Sequence, residues 1–433
     1  RRRWLKWTMR LALVGCLAVV GLLLYLNQIG LPEFAKSLLQ QELRANGLNL
    51  EFERLRWRLE RGLVAEGIQL EVTSTNSQPS LIAEELKIRF NRQSLLTGTP
   101  KIASVLLSNG QLGLPLVDEE TLDSLNFDIS DLQTKLSFPS PDLWILENFN
   151  AVCLGIRFEL QAEITNAFAL KSWRLKPKQT DEPPKWPKVL QQVIRTRNEI
   201  DFTGTPALEI KLHADAAHPE RSSANISLSC NAMESPWGSI KNFSLQVSAE
   251  EPDDPTALEF DSSWTLSIGM LTKESSQLRN LQFSGNLVHE SQSGQVKSAT
   301  WTLNTGQAEH APFGAGSIQI LGNTKKQAPE SQWFQSAMEM VLTEAAFPDG
   351  SIERIRLSSE LTHQDLNWRQ ADGNWTASIE KAQTKWASVT QSSLNGTIRP
   401  NQPSHEGSET QLGPWKAIQD FALSFTLSTK DIS

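Results

Sequence analysis

The sequence predicts a mainly β protein: an N-terminal transmembrane helix followed by an elongated, repetitive antiparallel β-sheet with a few short amphipathic helices. Three observations predict it. Leu11 to Leu26 (LALVGCLAVVGLLLYL) holds no charge; from Leu48 onward apolar and polar residues alternate in period two; and one aromatic-led motif recurs through the second half.

The sixteen residues of the apolar run, at about 1.5 Å rise each, make about 24 Å of helix, which Trp4, Trp7 and Ile29 lengthen to bilayer thickness. The membrane anchor is made by Leu11, Leu13, Val14, Leu17, Val19, Val20, Leu22, Leu23, Leu24 and Leu26. Arg1, Arg2, Arg3, Lys6 and Arg10 precede it without an acidic residue, so the positive-inside rule leaves the N-terminus in the cytoplasm and the body across the membrane. A cleaved signal peptide needs a small-x-small site, which NQIGLPEFAKS after Leu26 lacks. Leu13-Val14-Gly15-Cys16 is spelled like a lipobox, but most of the apolar run follows the cysteine, where an h-region should precede it. An uncleaved anchor is the reading that remains.

The chain has 433 residues, more than one small core absorbs, so several domains or one repetitive architecture is expected. Setting aside the five basic residues before Leu11 leaves 36 Lys and Arg against 49 Asp and Glu, a charge of −13. That disfavours a nucleic-acid binder, which needs a basic patch against phosphates. Of three cysteines, one is in the span; Cys153 and Cys230 remain, as free buried thiols or as one bridge.

Residues 1–30 are the basic tail and anchor, and 31–117 a helix-plus-β module. In Pro32 to Asn46 (PEFAKSLLQQELRAN), Phe34, Leu38, Leu39 and Leu43 share a helical face and Gly47 supplies the stop. Strands follow from Leu48, with a turn at Arg61-Gly62, then Leu63 to Val72 and Leu81 to Phe90. Leu95 to Leu116 supplies two more, with Asn109-Gly110 as a hairpin turn between them.

These stretches, "GLNLEFERLRWRLERGLVAEGIQLEV", "IAEELKIRF" and "LLTGTPKIASVLLSNGQLGL", behind a basic tail, one span and a Pro-started helix, resemble the N-terminal module of the AsmA-like family, which includes the TamB and YhdP proteins of the bacterial envelope. The resemblance covers residues 1 to about 117 and contains no catalytic motif. It implies a protein anchored in the bacterial inner membrane with a periplasmic body, a U-shaped β-groove with an apolar interior, and a role in moving phospholipids toward the outer membrane or balancing them there. Membrane lipids, through their acyl chains, are the implied partners, with other envelope proteins at the C-terminal end.

The β pattern continues through 118–170 and breaks over 171–200, where Pro177, Pro183, Pro184 and Pro187 make a linker and Trp186, Val189, Leu190, Val193 and Ile194 fall at helical spacing. That helix either packs over a sheet edge, plugs a groove or lies on a membrane. Residues 201–433 read almost entirely as strands. Trp237, Phe313, Phe347, Trp386 and Trp415 each open a copy of one loose repeat ("SPWGSIKNFSLQVS", "APFGAGSIQILG" and so on), separated by 76, 34, 39 and 29 residues. The unit is two to four strands, with one copy unrecognised in the long gap. The chain stops at Ile432-Ser433, just after a repeat-like strand, which reads as a C-terminal truncation.

Nothing in the sequence spells catalysis, a cofactor site or a metal site. GxSxG, P-loop, HExxH and Rossmann glycine patterns are absent, and the five-residue spacing of His213 and His218 puts them on opposite faces of a strand. The acidic groups Asp118-Glu119-Glu120 and Glu250-Glu251 with Asp253-Asp254 read as solvated loops. The candidates for a functional surface are apolar. Period two puts Trp264, Leu266, Ile268 and Met270 on one side of their strand, and likewise Phe243, Leu245 and Val247, Leu281 and Phe283, and Trp301 and Leu303. The 14 tryptophans either cap strand ends or, as Trp264, Trp301 and Trp375, line an apolar groove. Two functions fit: a non-enzymatic lipid conduit, or a structural scaffold or assembly factor for outer-membrane biogenesis whose sheet packs against another layer.

Overall fold

The computed structural model describes residues 48–58, 62–72, 80–91, 93–94, 101–117, 124–172, 194–218, 221–250, 259–290, 296–328, 331–364, 371–400, 421–428 and 431–432. The expected anchor, the Pro32–Asn46 helix, the proline-rich linker, most of the helix after it and Trp415 lie outside them. No helix among the described residues is long and apolar enough to cross a membrane. The chain divides into two compact units, Arg1–Glu199 with Ala207–Pro219, and Ile200–Pro206 with Glu220–Ser433. Both are β.

The first unit is an antiparallel meander of β1 (Leu48–Arg58), β2 (Gly62–Val72), β3 (Ser80–Phe90), β4 (Ile102–Val117), β5 (Ser124–Ser140), β6 (Leu143–Cys153) and β7 (Ile156–Thr165). The turn into β7 is Leu154-Gly155, both at positive φ (52° and 76°), the tight geometry that matches strand twist. After β8 (Asp201–Thr203), which joins the other unit, β9 (Ala207–Asp215) pairs with β7 in parallel, a departure from a purely antiparallel sheet. Residues 194–198 are helical. Ile194 is buried and Arg197 Nε donates to Leu154 O at 2.7 Å, so this end of the expected amphipathic helix packs at the β6–β7 turn.

The expected hairpin at Asn109-Gly110 is not formed: β4 runs through it. Asn109 adopts φ 52° and the pairing with β5 slips between Leu107 and Gly110, so the pair makes a bulge. One left-handed residue in a strand that is paired on both sides bends the strand instead of reversing it.

The second unit is a longer meander. β8 pairs with β10 (Ser223–Ser235), followed by β11 (Gly238–Ala249), β12 (Glu259–Lys273) and β13 (Ser276–Glu290). β14 (Val296–Thr305) and β15 (Gln307–His310) both pair with β13, as two halves of one strand broken at Gly306. β16 (Phe313–Ala315) and β17 (Ser317–Lys326) form the next broken strand, then come β18 (Trp333–Phe347), β19 (Gly350–Gln364), β20 (Asp372–Thr384), β21 (Ser388–Pro400), and β22 (Phe421–Ser428) with β23 (Asp431–Ile432). The aromatic-led repeat is one β-hairpin of this meander. The copy unrecognised in the long gap is the β12–β13 hairpin, whose tip, Glu274-Ser275, lacks the aromatic.

A crease crosses this sheet. Inward residues are two apart along each strand except at one place, where they are three apart: Cys230 and Met233, Ile240 and Phe243, Ile268 and Leu271, Leu278 and Leu281, Leu342 and Ala345, Ile352 and Ile355, Ile379 and Ala382. Cross-strand pairing lines these up, as Phe243↔Ile268↔Leu281 on one side and Ile240↔Leu271↔Leu278 on the other. Between them two successive residues point outward, and on β11, β13, β18 and β21 one of the two is left-handed: Asn242, Asn280, Glu344 and Gln391, with φ of 51–54°. A left-handed residue re-aims the chain, and a row of them bends the whole sheet along a line. The inside of the angle is the apolar side. Cys230, Met233 and Ile268 are buried there, whereas Asn242, Asn280, Glu344 and Gln391 are exposed.

The first unit has the same device. Phe52 and Leu55, Ala65 and Ile68, Ala83 and Leu86, and Leu107 and Gly110 are the three-apart positions, with Gly67 at φ 64° and Asn109 at 52°. Its buried core, Leu55, Ala65, Ile68 and Ala83 with Phe52, Leu86 and Leu107 against it, lies in that inner angle.

Candidate functional site

Two ladders of paired residues run side by side across the inner face of the second unit. One is Leu228, Leu245, Leu266, Phe283, Leu303, Ile320, Met340 and Leu357. The other is Ile226, Val247, Trp264, Gly285, Trp301, Gly322, Met338 and Ser359. Each crosses eight strands, about 34 Å at about 4.8 Å per spacing. Every residue of the first ladder is half-buried. A face covered by a second layer would be buried.

Glycine would leave gaps in the second ladder, and tryptophan covers them. A Cβ placed on Gly285 would stand 2.4 Å from Trp264 Cζ2, and one on Gly322 would stand 2.1 Å from Trp301 Cε2, so each indole lies across the neighbouring glycine. Phe283 bridges the two indoles edge-on, at 5.8 Å from Trp264 and 6.0 Å from Trp301 between ring centroids. These tryptophans pave the face at mid-strand rather than cap strand ends. Trp375 continues the row opposite Ser359, and Trp375 Nε1 and Ser359 Oγ are buried without a hydrogen-bond partner.

Of the candidates read from sequence, the structure gathers Phe243, Leu245, Val247, Trp264, Leu266, Ile268, Leu281, Phe283, Trp301 and Leu303 on one face. Met270 does not join them. It lies beyond the crease, paired with Lys241 and Arg279, and Gln277 Nε2 reaches its sulfur at 3.2 Å, which puts it on the polar side. Counting by two through Gly269 fails there because the crease resets the alternation. Ile226, Leu228, Ile320, Met338, Met340 and Leu357 complete the face, and Met233, Ile240, Leu271 and Leu278 extend it past the crease; the three-residue spacing is the signal that could have found the latter group.

The far end of the face is polar and aromatic. Phe260 stacks on His289 at 4.7 Å and Phe334 on His363 at 5.9 Å, with His289 Nε2 at 2.9 Å from Ser262 Oγ and His363 Nε2 at 2.8 Å from Ser336 Oγ. Thr324 Oγ1 extends the second contact, 2.8 Å from Ser336 Oγ. A serine beside a histidine suggests nucleophilic chemistry, but His363 is 0% and Ser336 4% exposed, so no substrate carbonyl reaches this hydroxyl. Among the described residues no three His, Cys, Asp or Glu side chains gather as a metal site.

The opposite face carries a concavity of about 740 Å³. Ser263, Thr265, Ser284, Thr302, Glu339 and Glu360 line it together with Leu321 and Ala337, over the backbone of the Trp264–Ser359 ladder. Cys153 is half-buried and Cys230 buried, and burial pushes both thiols up from their ordinary value. No family model, curated protein or solved structure matches the chain.

Proposed function

We propose that the apolar inner face carries the acyl chains of membrane lipids, making the chain a non-enzymatic lipid conduit of the bacterial envelope, anchored in the inner membrane by its N-terminal span with its body in the periplasm. One observation carries this reading: an apolar ladder unbroken over eight strands stays half-buried instead of being covered by a second layer. A scaffold built by packing the same sheet on another layer would fill that face with interlocking side chains. Each CH₂ withdrawn from water is worth about 0.8 kcal/mol, so a face as apolar as a membrane core makes transit along it nearly level in energy. No group need react. The indoles over Gly285 and Gly322 keep the path free of exposed peptide, which would otherwise cost unpaired polar groups beside the chain.

The test is a photocrosslinking amino acid at Leu266 on the apolar face or at Thr265 on the polar face, in full-length protein within membranes. Lipid adducts by mass spectrometry at 266 and not at 265 support the conduit. Equal labelling at both positions, or adducts to protein alone at 266, removes it in favour of the scaffold.

A further inference from the structure

Trp237, Phe313 and Trp386, which open three of the repeats, stand exposed at the ends of their hairpins rather than on the inner face. Every described tip on one margin of the second unit's sheet is a short turn: 236–237, 274–275, 311–312, 348–349 and 385–386. Trp237 and Phe313 are each 56% exposed and Trp386 is 73% exposed, at three of these tips, and Phe347 flanks a fourth. Tips follow one another at two strand spacings, so the five tips line a margin about 38 Å long in steps of about 10 Å, with aromatics at or beside four of them and none at 274–275.

The line is rigid. Lys273 Nζ donates to Pro236 O at 3.4 Å, Ala311 N to Ser275 O at 3.4 Å, and Lys385 N to Asp349 O at 3.0 Å, each tying one tip to the next. Lys385 Nζ also donates to Asp349 Oδ1 at 2.6 Å and lies 4.2 Å from the centre of the Trp386 ring. Exposed indole and phenyl rings along one margin, with a lysine against the Trp386 ring, are what the interfacial layer of a bilayer accepts: rings among glycerol and carbonyl groups, ammonium toward phosphate.

We propose that this aromatic margin is a membrane-docking edge, with Trp237, Phe313 and Trp386 seated in the headgroup layer of a lipid bilayer and the short arm beyond the crease next to it. The edge stands on the exposure of its rings and does not require the inner face to carry lipid.

The experiment uses the full chain with its native cysteines replaced by serine, reconstituted into phosphatidylethanolamine and phosphatidylglycerol vesicles. One environment-sensitive fluorophore is placed at Ser275→Cys, a tip between Trp237 and Phe313, or at Ala328→Cys on the other margin. Iodide quenching at 275 at least about threefold weaker than at 328, with quenching by spin-labelled lipid at 275 alone, is the result expected. Trp237→Ser, Phe313→Ser and Trp386→Ser together should abolish that difference. Equal iodide quenching at both positions overturns the proposal, and so does shielding of 275 from iodide and spin-labelled lipid together, which would mean that protein covers the margin. Crosslinking at Leu266 reports on the conduit separately: lipid quenching at 275 without lipid adducts at 266 leaves the edge standing and the conduit not.

Discussion

The indole of Trp301 lies across Gly322 of the neighbouring strand, so close that a Cβ there would stand 2.1 Å from the ring. Gly322→Ala must therefore push the indole off its seat. The expected cost is about 1–3 kcal/mol, as for other overpacked sites, read in a denaturant midpoint, with the same direction for Gly285→Ala under Trp264. Trp301→Ala in the Gly322→Ala background should recover part of it. An unshifted midpoint in Gly322→Ala would mean that the ring is free to move away.

Leu266 and Ile268 stand two apart on one face and differ in consequence. Ile268 is 8% exposed at the inside of the crease, so Ile268→Asp buries a charge without a partner and should destabilise the sheet by on the order of 3 kcal/mol. Leu266 is half-buried, and Leu266→Asp should fold at normal abundance but lose lipid crosslinking at neighbouring Phe283. Ser267→Asp, on the polar side, should change neither. A folded Leu266→Asp protein that still crosslinks lipid at the wild-type level would end the conduit proposal.

Glu344 sits at φ 51°, where Asn242 and Asn280 stand at the equivalent points of the crease. Asparagine tolerates the left-handed region better than glutamate, so Glu344→Asn should raise stability by about 0.5–1 kcal/mol, and Glu344→Val should lower it by more than that gain. Thermal unfolding of the two variants measures both signs.

Asp215 closes the end of β9. Asn166 Nδ2 donates to its Oδ1 at 2.9 Å, and the backbone N–H groups of Ala217 and His218 donate at 2.9 and 3.1 Å. The Asn166 bond, helped by the two N–H groups, holds this carboxyl below its ordinary value. A depressed folded value lends stability that is present above the unfolded carboxyl's pKa and lost as pH falls through the folded one. Asp215→Asn should remove that acid-side slope, most of it below about pH 4, and leave pH 6–8 unchanged relative to itself. An unaltered stability profile on the acid side would show that the three bonds do not bias protonation.

Strand after strand was legible because period two survives in any sheet with one wet face: Leu245-Gln246-Val247 and Trp264-Thr265-Leu266 announce themselves. The crease did not. A single step of three in each strand, such as Phe243 back to Ile240, has the statistics of noise until neighbouring strands are aligned, and that alignment is set by pairing across the sheet. Counting by two through Gly269 puts Met270 on the wrong side for this reason. Asn109-Gly110 misled differently, because local turn chemistry permits a reversal that tertiary pairing on both sides of β4 overrides. The Trp301–Gly322 contact could not be read in advance, since residues 21 apart meet only through register. The aromatic of each repeat was visible, but only the hairpin geometry shows that Trp237 and Trp386 face outward at the tips.

A strip of paper bends easily until it is folded lengthwise, after which it carries a load. The row of left-handed residues through Asn242, Asn280, Glu344 and Gln391 does this to a β-sheet. A flat ribbon one layer thick flexes about any line parallel to its strands, whereas an angled one must stretch hydrogen bonds on one arm and compress them on the other. Stiffness along the direction in which strands accumulate is thus obtained from backbone conformation at one residue in every second or third strand, without the second layer that would have covered the apolar face.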